Sequence, residues 1–331
     1  MAIDILDLEP NVISRDLKGK YICIYGKEKV GKSTFGSKLP KALFCNFEIG
    51  TNFLAGVRAV NIQKWSEFKQ VIKQLEKPQA REMYETIVID TISEAYSDCE
   101  AYTCAQAGVQ KLGDVPYGAA YATCKKEFES ALRKITMLGY GICCICHSEI
   151  KKLSGPDDTV IETVAPAMPT RAADVVNRLV DIIAYIDVYY DANGEANRRF
   201  ITRATPTVSA GNRLPYLDPV IPFSYEALVD AIGRAIDKQQ EEDGAMVVET
   251  KERQVNDIPS YTRIREEAQD IWIRLVGTGE TEQQQLAARD IAKKVEMIFG
   301  RPVKLSEITE DQADLFYLAL LEMRDYAESV K

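Results

Sequence analysis

The chain has 331 residues, of which 46% are apolar, enough for two domains with a sizeable core and too many for global disorder. No stretch reaches the eighteen or more consecutive apolar residues that a membrane helix needs, so no membrane partner is expected. The net charge is −9, which makes the chain as a whole a poor non-specific ligand for nucleic acid, so any such contact must come from a local basic surface.

The N-terminal stretch MAIDILDLEPNVISRDLKGK lacks a basic-then-apolar signal pattern, and the protein is expected in the cytoplasm. Eight cysteines, three of them inside the apolar run GICCIC, read as reduced core thiols rather than a metal or redox site.

Up to about residue 237 short β-like runs alternate with helical patterns. This predicts an α/β fold with a mostly parallel sheet flanked by helices. The expected strands are Tyr21–Tyr25, Ala42–Asn46, Thr86–Ile89, Gly141–Cys146, Ile182–Tyr190 and Phe200–Ala204. YICIY, IVID and ICCIC are near-continuous apolar runs, as strands buried on both faces should be. Asp191-Ala-Asn-Gly194 predicts an antiparallel hairpin between the last two strands.

Residues 238–260 are charged and aperiodic and read as a linker; 261–331 read as a domain of two or three helices. There Thr309-x-x-Gln312 resembles a capping box ahead of Leu315, Ala319 and Met323 at helical spacing. The acidity is concentrated here. Residues 238–331 carry 13 Lys and Arg against 20 Asp and Glu, and residues 1–237 carry 28 against 30.

The chemistry begins directly after the first strand. Gly26-Lys27-Glu28-Lys29-Val30-Gly31-Lys32-Ser33, followed by Thr34, matches G-x-x-x-x-G-K-[ST] in full between a strand and a helix. Its glycines let backbone N–H groups turn inward around phosphates, and the helix N-terminus adds partial positive charge. Lys32 can reach the β- and γ-phosphates of ATP, and the Ser33 hydroxyl can ligate Mg²⁺. Asp90, ending the buried run TIVID, can hold the metal's water shell, although an Asp here can also cap a helix.

Glu48 closes ALFCNFE, where an acidic residue can activate water; a solvated strand end is the alternative. His147, the only histidine, follows GICCIC, where a polar side chain could touch the γ-phosphate.

The series YICIYGKEKVGKST, ALFCNFE, ETIVIDTISE, GICCICHSEIKK and RFITRATPTVSAGNR resembles the phage RecA-like ATPases of the Sak-four group. More distantly it is similar to RecA, UvsX and the eukaryotic Rad recombinases. The resemblance covers roughly residues 15–235. It implies a RecA-like Mg²⁺-dependent ATPase of phage recombination or replication, in the cytoplasm of the host, that binds single-stranded DNA. A homo-oligomer and a phage annealing or single-strand-binding protein as partner are implied too.

By the same resemblance Glu48 is the general base, His147 the γ-phosphate sensor and Arg213 a cation offered across a subunit boundary. Loops toward DNA map to 109–120 and 150–172, with Lys151, Lys152 and Arg171 as contacts, although Asp157, Asp158 and Glu162 weaken the second electrostatically. An ATP-driven switch acting only on protein partners is the competing reading. A nucleotide kinase would carry an arginine-rich lid, which the chain lacks.

Overall fold

The computed structural model describes residues 12–48, 50, 52–154, 159–250, 253 and 259–330. The chain divides into two compact units, parting between residues 256 and 257.

The first unit contains, in order, β1 (Ile13–Ser14), β2 (Tyr21–Gly26), α1 (Lys32–Gly36), β3 (Ala42–Asn46), β4 (Arg58–Asn61), α2 (Trp65–Leu75), α3 (Pro78–Met83), β5 (Thr86–Asp90), α4 (Ile92–Ala107), α5 (Ala119–Met137), β6 (Gly141–Ser154), β7 (Val160–Pro166), α6 (Thr170–Leu179), β8 (Ile182–Tyr190), β9 (Ala196–Ile201), β10 (Gly211–Asn212), β11 (Val220–Pro222), α7 (Tyr225–Asp243) and β12 (Val247–Val248). The main sheet runs β11-β9-β8-β2-β6-β5-β3-β4. From β8 to β4 every neighbour is parallel, whereas β9 and β11 are antiparallel. β7 folds back on β6 and β10 on β8, and β1 pairs with β12 apart from the main sheet.

Alternation along the central strands fills both faces. Cys23, Tyr25, Ile87, Ile89, Ile142, Cys144 and Cys146 pack with α2, α4, α5 and α6; Ile22, Ile24, Val88, Cys143 and Ile145 pack with α1 and α7. Period-two side-chain direction therefore explains why these runs carry no polar face. Cys143 and Cys146 are spaced as C-x-x-C yet face opposite sides of the sheet. All eight cysteines are free thiols, and Cys104 alone is not fully buried.

The structure departs from the sequence expectation at several elements. β9 begins at Ala196 rather than Phe200 and ends at Ile201, where the Thr202 hydroxyl and amide bond to the Asp218 and Pro219 carbonyls and turn the chain away. Arg199 had hidden the strand, because its charge is satisfied across the ladder by Asp187 at 2.8 Å. β6 does not stop at Cys146 but continues to Ser154 as a hairpin with β7, so part of the expected 150–172 loop is strand. β4, a short and mostly exposed edge strand, lacks the apolar alternation that would announce it. The helix α7 covers 238–243, the start of the expected linker, because its last turn, QQEED, faces solvent and shows no apolar stripe.

In the second unit α8 (Tyr261–Leu275), α9 (Glu282–Phe299) and α10 (Ala313–Ser329) bury Ile264, Ala268, Ile291, Val295, Phe316, Leu320 and Met323 against one another. The Thr309–Gln312 capping box is present. Leu315 lies off the buried stripe, 39% exposed, and Phe316 takes the core position. Arg324 grips Glu267 through two bonds of 2.6 and 2.7 Å. Residues 157, 158, 257 and 258 lie outside the described residues.

Phe128 on α5 is fully buried, edge-on to Tyr96 at 5.0 Å and against Trp65 at 5.8 Å. Replacing it with Ala should destabilise the first unit by about 3–5 kcal/mol in denaturant unfolding. Tyr117→Ala, at a fully exposed side chain, should stay within about 0.5 kcal/mol of the parent.

Candidate functional site

The parallel register brings four separate motifs to one edge of the sheet. Gly26 is level with His147 on β6, Ile145 with Asp90 on β5, and Asp90 with Asn46 on β3, two residues before Glu48. The loop Gly26–Ser33 leaves β2 at this edge, with Lys29 at φ 59° and Gly31 at φ 105°. A Cβ on Gly31 would lie 2.7 Å from Arg198 Nη1, and one on Gly26 would lie 3.2 Å from Ile186 and Val30. Gly31 is favoured by its left-handed backbone conformation, and a Cβ at Gly26 would crowd Ile186 and Val30.

Lys32 opens α1 and is only 6% exposed. Its ammonium donates to the Gly26 and Lys27 carbonyls at 3.0 and 2.7 Å, arching over the loop. Burial lowers its pKa, opposed by the nearby charges of Asp90, Glu28 and Glu48. The Ser33 hydroxyl donates to Asp90 Oδ2 at 2.7 Å. Asp90 is buried, and burial raises its pKa; the Ser33 bond and the charges of Lys32 and His147 pull it down, while Glu48 pushes it up.

Glu48 is held by three neighbours. Its Oε1 accepts from the Thr91 hydroxyl at 3.0 Å, and its Oε2 lies 3.3 Å from His147 Nε2. Its amide and that of Phe47 donate to the Asp90 carbonyl at 3.1 and 2.7 Å, tying the end of β3 to β5. His147 Nδ1 is buried with no hydrogen-bond partner among the described residues. Lys27, Glu28, Lys29 and Thr34 are exposed around the loop.

The donor set suits a hard divalent cation. A hydroxyl and a carboxylate in contact are the oxygen ligands Mg²⁺ takes when substrate phosphates and water complete its shell. No three His, Cys, Asp or Glu side chains form a metal cage among the described residues.

The remaining expected residues lie elsewhere. Arg213 bonds Asp181 at 3.0 Å and the carbonyls of Leu179 and Arg178, while Asp181 accepts the amide of Tyr21. Tyr21 starts β2 and the phosphate loop follows its end, so Arg213 sits at the opposite edge of the sheet, roughly 17 Å away at ~3.3 Å per residue. In the β6–β7 hairpin Lys151 pairs with Glu149 at 3.2 Å and Lys152 with Glu162 at 3.7 Å. Arg171 on α6 stacks 4.0 Å over the Tyr121 ring of α5.

Two residues at the site escaped the sequence reading. Thr91, next to Asp90, reads as ordinary helix-start chemistry. Arg198 gives no local signal, because it lies over 160 residues beyond the loop it touches; its Nη1 donates to the Val30 carbonyl at 3.0 Å.

A complete phosphate loop on a central parallel strand, its serine bonded to an aspartate two strands away, defines a P-loop nucleoside triphosphatase. The chain belongs to the AAA domain family, which matches residues 18–214, and it is an ATPase. It is 27% identical over 338 residues to the SPbeta prophage-derived uncharacterized protein YorG of Bacillus subtilis (strain 168), covering 98% of this chain and 99% of that one. The crystal structure of the flagellar accessory protein FlaH from Methanocaldococcus jannaschii aligns with 64% of the chain and 88% of its own, at 13% identity and a TM-score of 0.34. Among the described residues no helix is long and apolar enough to cross a membrane.

Lys32→Ala should reduce ATP affinity at least about a hundredfold, since the lysine's charge serves phosphates rather than packing. A fluorescent-nucleotide titration reads the loss, with circular dichroism showing the first unit still folded. ATP binding at parental affinity would remove the loop from the site.

Proposed function

We propose that this protein is a Mg²⁺-dependent ATPase of prophage recombination or replication that couples γ-phosphate loss to single-stranded DNA through the β6–β7 hairpin. The observation that carries the proposal is the 3.3 Å contact between Glu48 and His147, because His147 belongs to the same strand that continues into the hairpin. The YorG relative, named as prophage-derived, and the resemblance to phage RecA-like ATPases support the biological setting.

In this reading Ser33 and Asp90 hold Mg²⁺, which neutralises charge on the phosphates. Lys32 and the loop amides orient the triphosphate. Glu48, aimed by Thr91 and His147, accepts the proton of the attacking water, and His147 takes the γ-phosphate side of that arrangement. When the γ-phosphate leaves, the Glu48–His147 contact changes, and β6 carries the change outward to Lys151 and Lys152. Homo-oligomerisation and an annealing or single-strand-binding partner belong to the proposal through the resemblance. Arg213, its side chain 55% exposed, is the arginine offered to a neighbouring subunit.

A switch acting on protein partners alone is favoured by one observation. Both hairpin lysines are already paired with carboxylates, and Ile150 and Val160 beside them are each 65% exposed. Exposed ion pairs are worth only ~0–1 kcal/mol, so a nucleic-acid phosphate can displace them.

Glu48→Gln should bind ATP at near-parental affinity and hydrolyse it at least about a hundredfold more slowly, the usual contribution of a positioned base. Unchanged turnover would place the base elsewhere.

Single-stranded DNA should raise the steady-state ATPase rate. Replacing Lys151 and Lys152 with Ala should weaken oligonucleotide binding and flatten its salt dependence by about 0.7 per lost phosphate contact. No binding by the parent at low salt with a non-hydrolysable ATP analogue would leave the protein-directed switch.

A further inference from the structure

Arg198 is the one described arginine side chain bonded to the phosphate loop, and no carboxylate among the described residues pairs with it. Its neighbour Arg199 is neutralised by Asp187 at 2.8 Å, as Arg213 is by Asp181 and Arg234 by Asp218. Arg198 instead spends its Nη1 on the carbonyl of Val30 at 3.0 Å, and its guanidinium lies 5.0 Å from the centre of the Phe223 ring. That ring is fixed in turn: Phe200 meets it edge-on at 4.9 Å, and Phe35 of α1 lies 6.0 Å away. The amide of Phe223 also donates to the Arg198 carbonyl at 3.1 Å. The guanidinium therefore rests on a rigid support.

The consequence follows from peptide geometry. The bond between Val30 and Gly31 is trans, since the only cis peptide among the described residues is Asp90–Thr91. In a planar trans peptide the C=O and the following N–H point in opposite directions. A hydrogen bond that holds the Val30 carbonyl outward on Arg198 therefore turns the Gly31 N–H toward the other side of the loop. A phosphate-binding loop works through inward amides of this kind.

We propose that Arg198 is a positioning residue for nucleotide binding: it pins the Val30–Gly31 peptide so that the Gly31 amide faces the bound phosphates, and its uncompensated charge strengthens the anion site from behind the loop. The ligand part that benefits is the phosphate chain, common to ATP, ADP and inorganic tripolyphosphate. This rests on the phosphate loop being the nucleotide site. Glu48 and His147 stand on the β5–β6 flank of the loop and Arg198 on the β8–β9 flank, so the effect falls on binding and spares the hydrolytic step.

The test is calorimetric titration of the full chain, in Mg²⁺ buffer, with ATP, ADP and tripolyphosphate, for the parent, Arg198→Ala and Arg198→Lys. Arg198→Ala should weaken all three ligands by a similar factor, roughly ten- to a hundredfold, the worth of one charge-assisted hydrogen bond. Arg198→Lys should recover part of the loss. KM for ATP should rise with kcat nearly unchanged, and thermal unfolding without ligand should match the parent. Unaltered affinities would overturn the proposal, as would a loss of ATP and ADP binding with tripolyphosphate bound at parental affinity, which would make Arg198 a nucleoside contact. A fall in kcat at constant KM would also overturn it. Failure of the parent to bind any of the three would instead refute the phosphate-loop assignment itself.

Discussion

The site depends on one topological constraint, the insertion of β6 between the strand that carries the phosphate loop and the strand that ends in Asp90. Two strand spacings separate β2 from β5, about 9.6 Å. The loop and α1 must lean across the end of β6 for Ser33 to reach Asp90, and the 2.7 Å bond between them shows that they do. The same insertion delivers His147 to the gap, level with Gly26, where it meets Glu48 arriving from β3. Four residues scattered over more than a hundred positions converge because parallel strands all end on one side.

Electrostatics then makes the cluster interdependent. Lys32 and Asp90 are both nearly buried, and each is tolerable only because the other, with Ser33 and the loop carbonyls, compensates it. Removing one partner from such a group leaves an unpaired buried charge and costs several kcal/mol, so these side chains behave as a unit rather than as separable contributions. Glu48 and His147 are more open, with side chains 41% and 31% exposed. That leaves the groups assigned to proton chemistry more open to water than Lys32 and Asp90.

Much of this was legible in the sequence because it is written locally. The phosphate loop is a contiguous motif, and YICIY, TIVID and GICCIC announce themselves as strands buried on both faces. Chain order alone suggested that Glu48, Asp90 and His147 end strands at one edge. What the sequence hid is what depends on partners distant in the chain. β9 was shifted because Arg199 is neutralised from β8, a pairing no local pattern records. β4 is an edge strand with no apolar face, and the β6–β7 hairpin carries two consecutive lysines whose carboxylate partners lie within it. The bonds of Arg213 to Asp181 and two carbonyls, at the end of the strands away from its own phosphate loop, are likewise recorded by no local pattern. Arg198, the arginine that reaches the loop, stands two residues ahead of the strand expected from Phe200, in a stretch that gives no local signal.

The most direct measurement of the central claim is a crystal structure of the full chain grown with Mg²⁺, ADP and aluminium fluoride, a planar stand-in for the phosphoryl group in transfer. The metal should be ligated by Ser33, with Asp90 in its water shell, and the fluoride's apical water should lie within hydrogen-bond reach of Glu48, with His147 beside it. A complex in which the fluoride forms beside the loop but Glu48 and His147 face away from it would contradict the account.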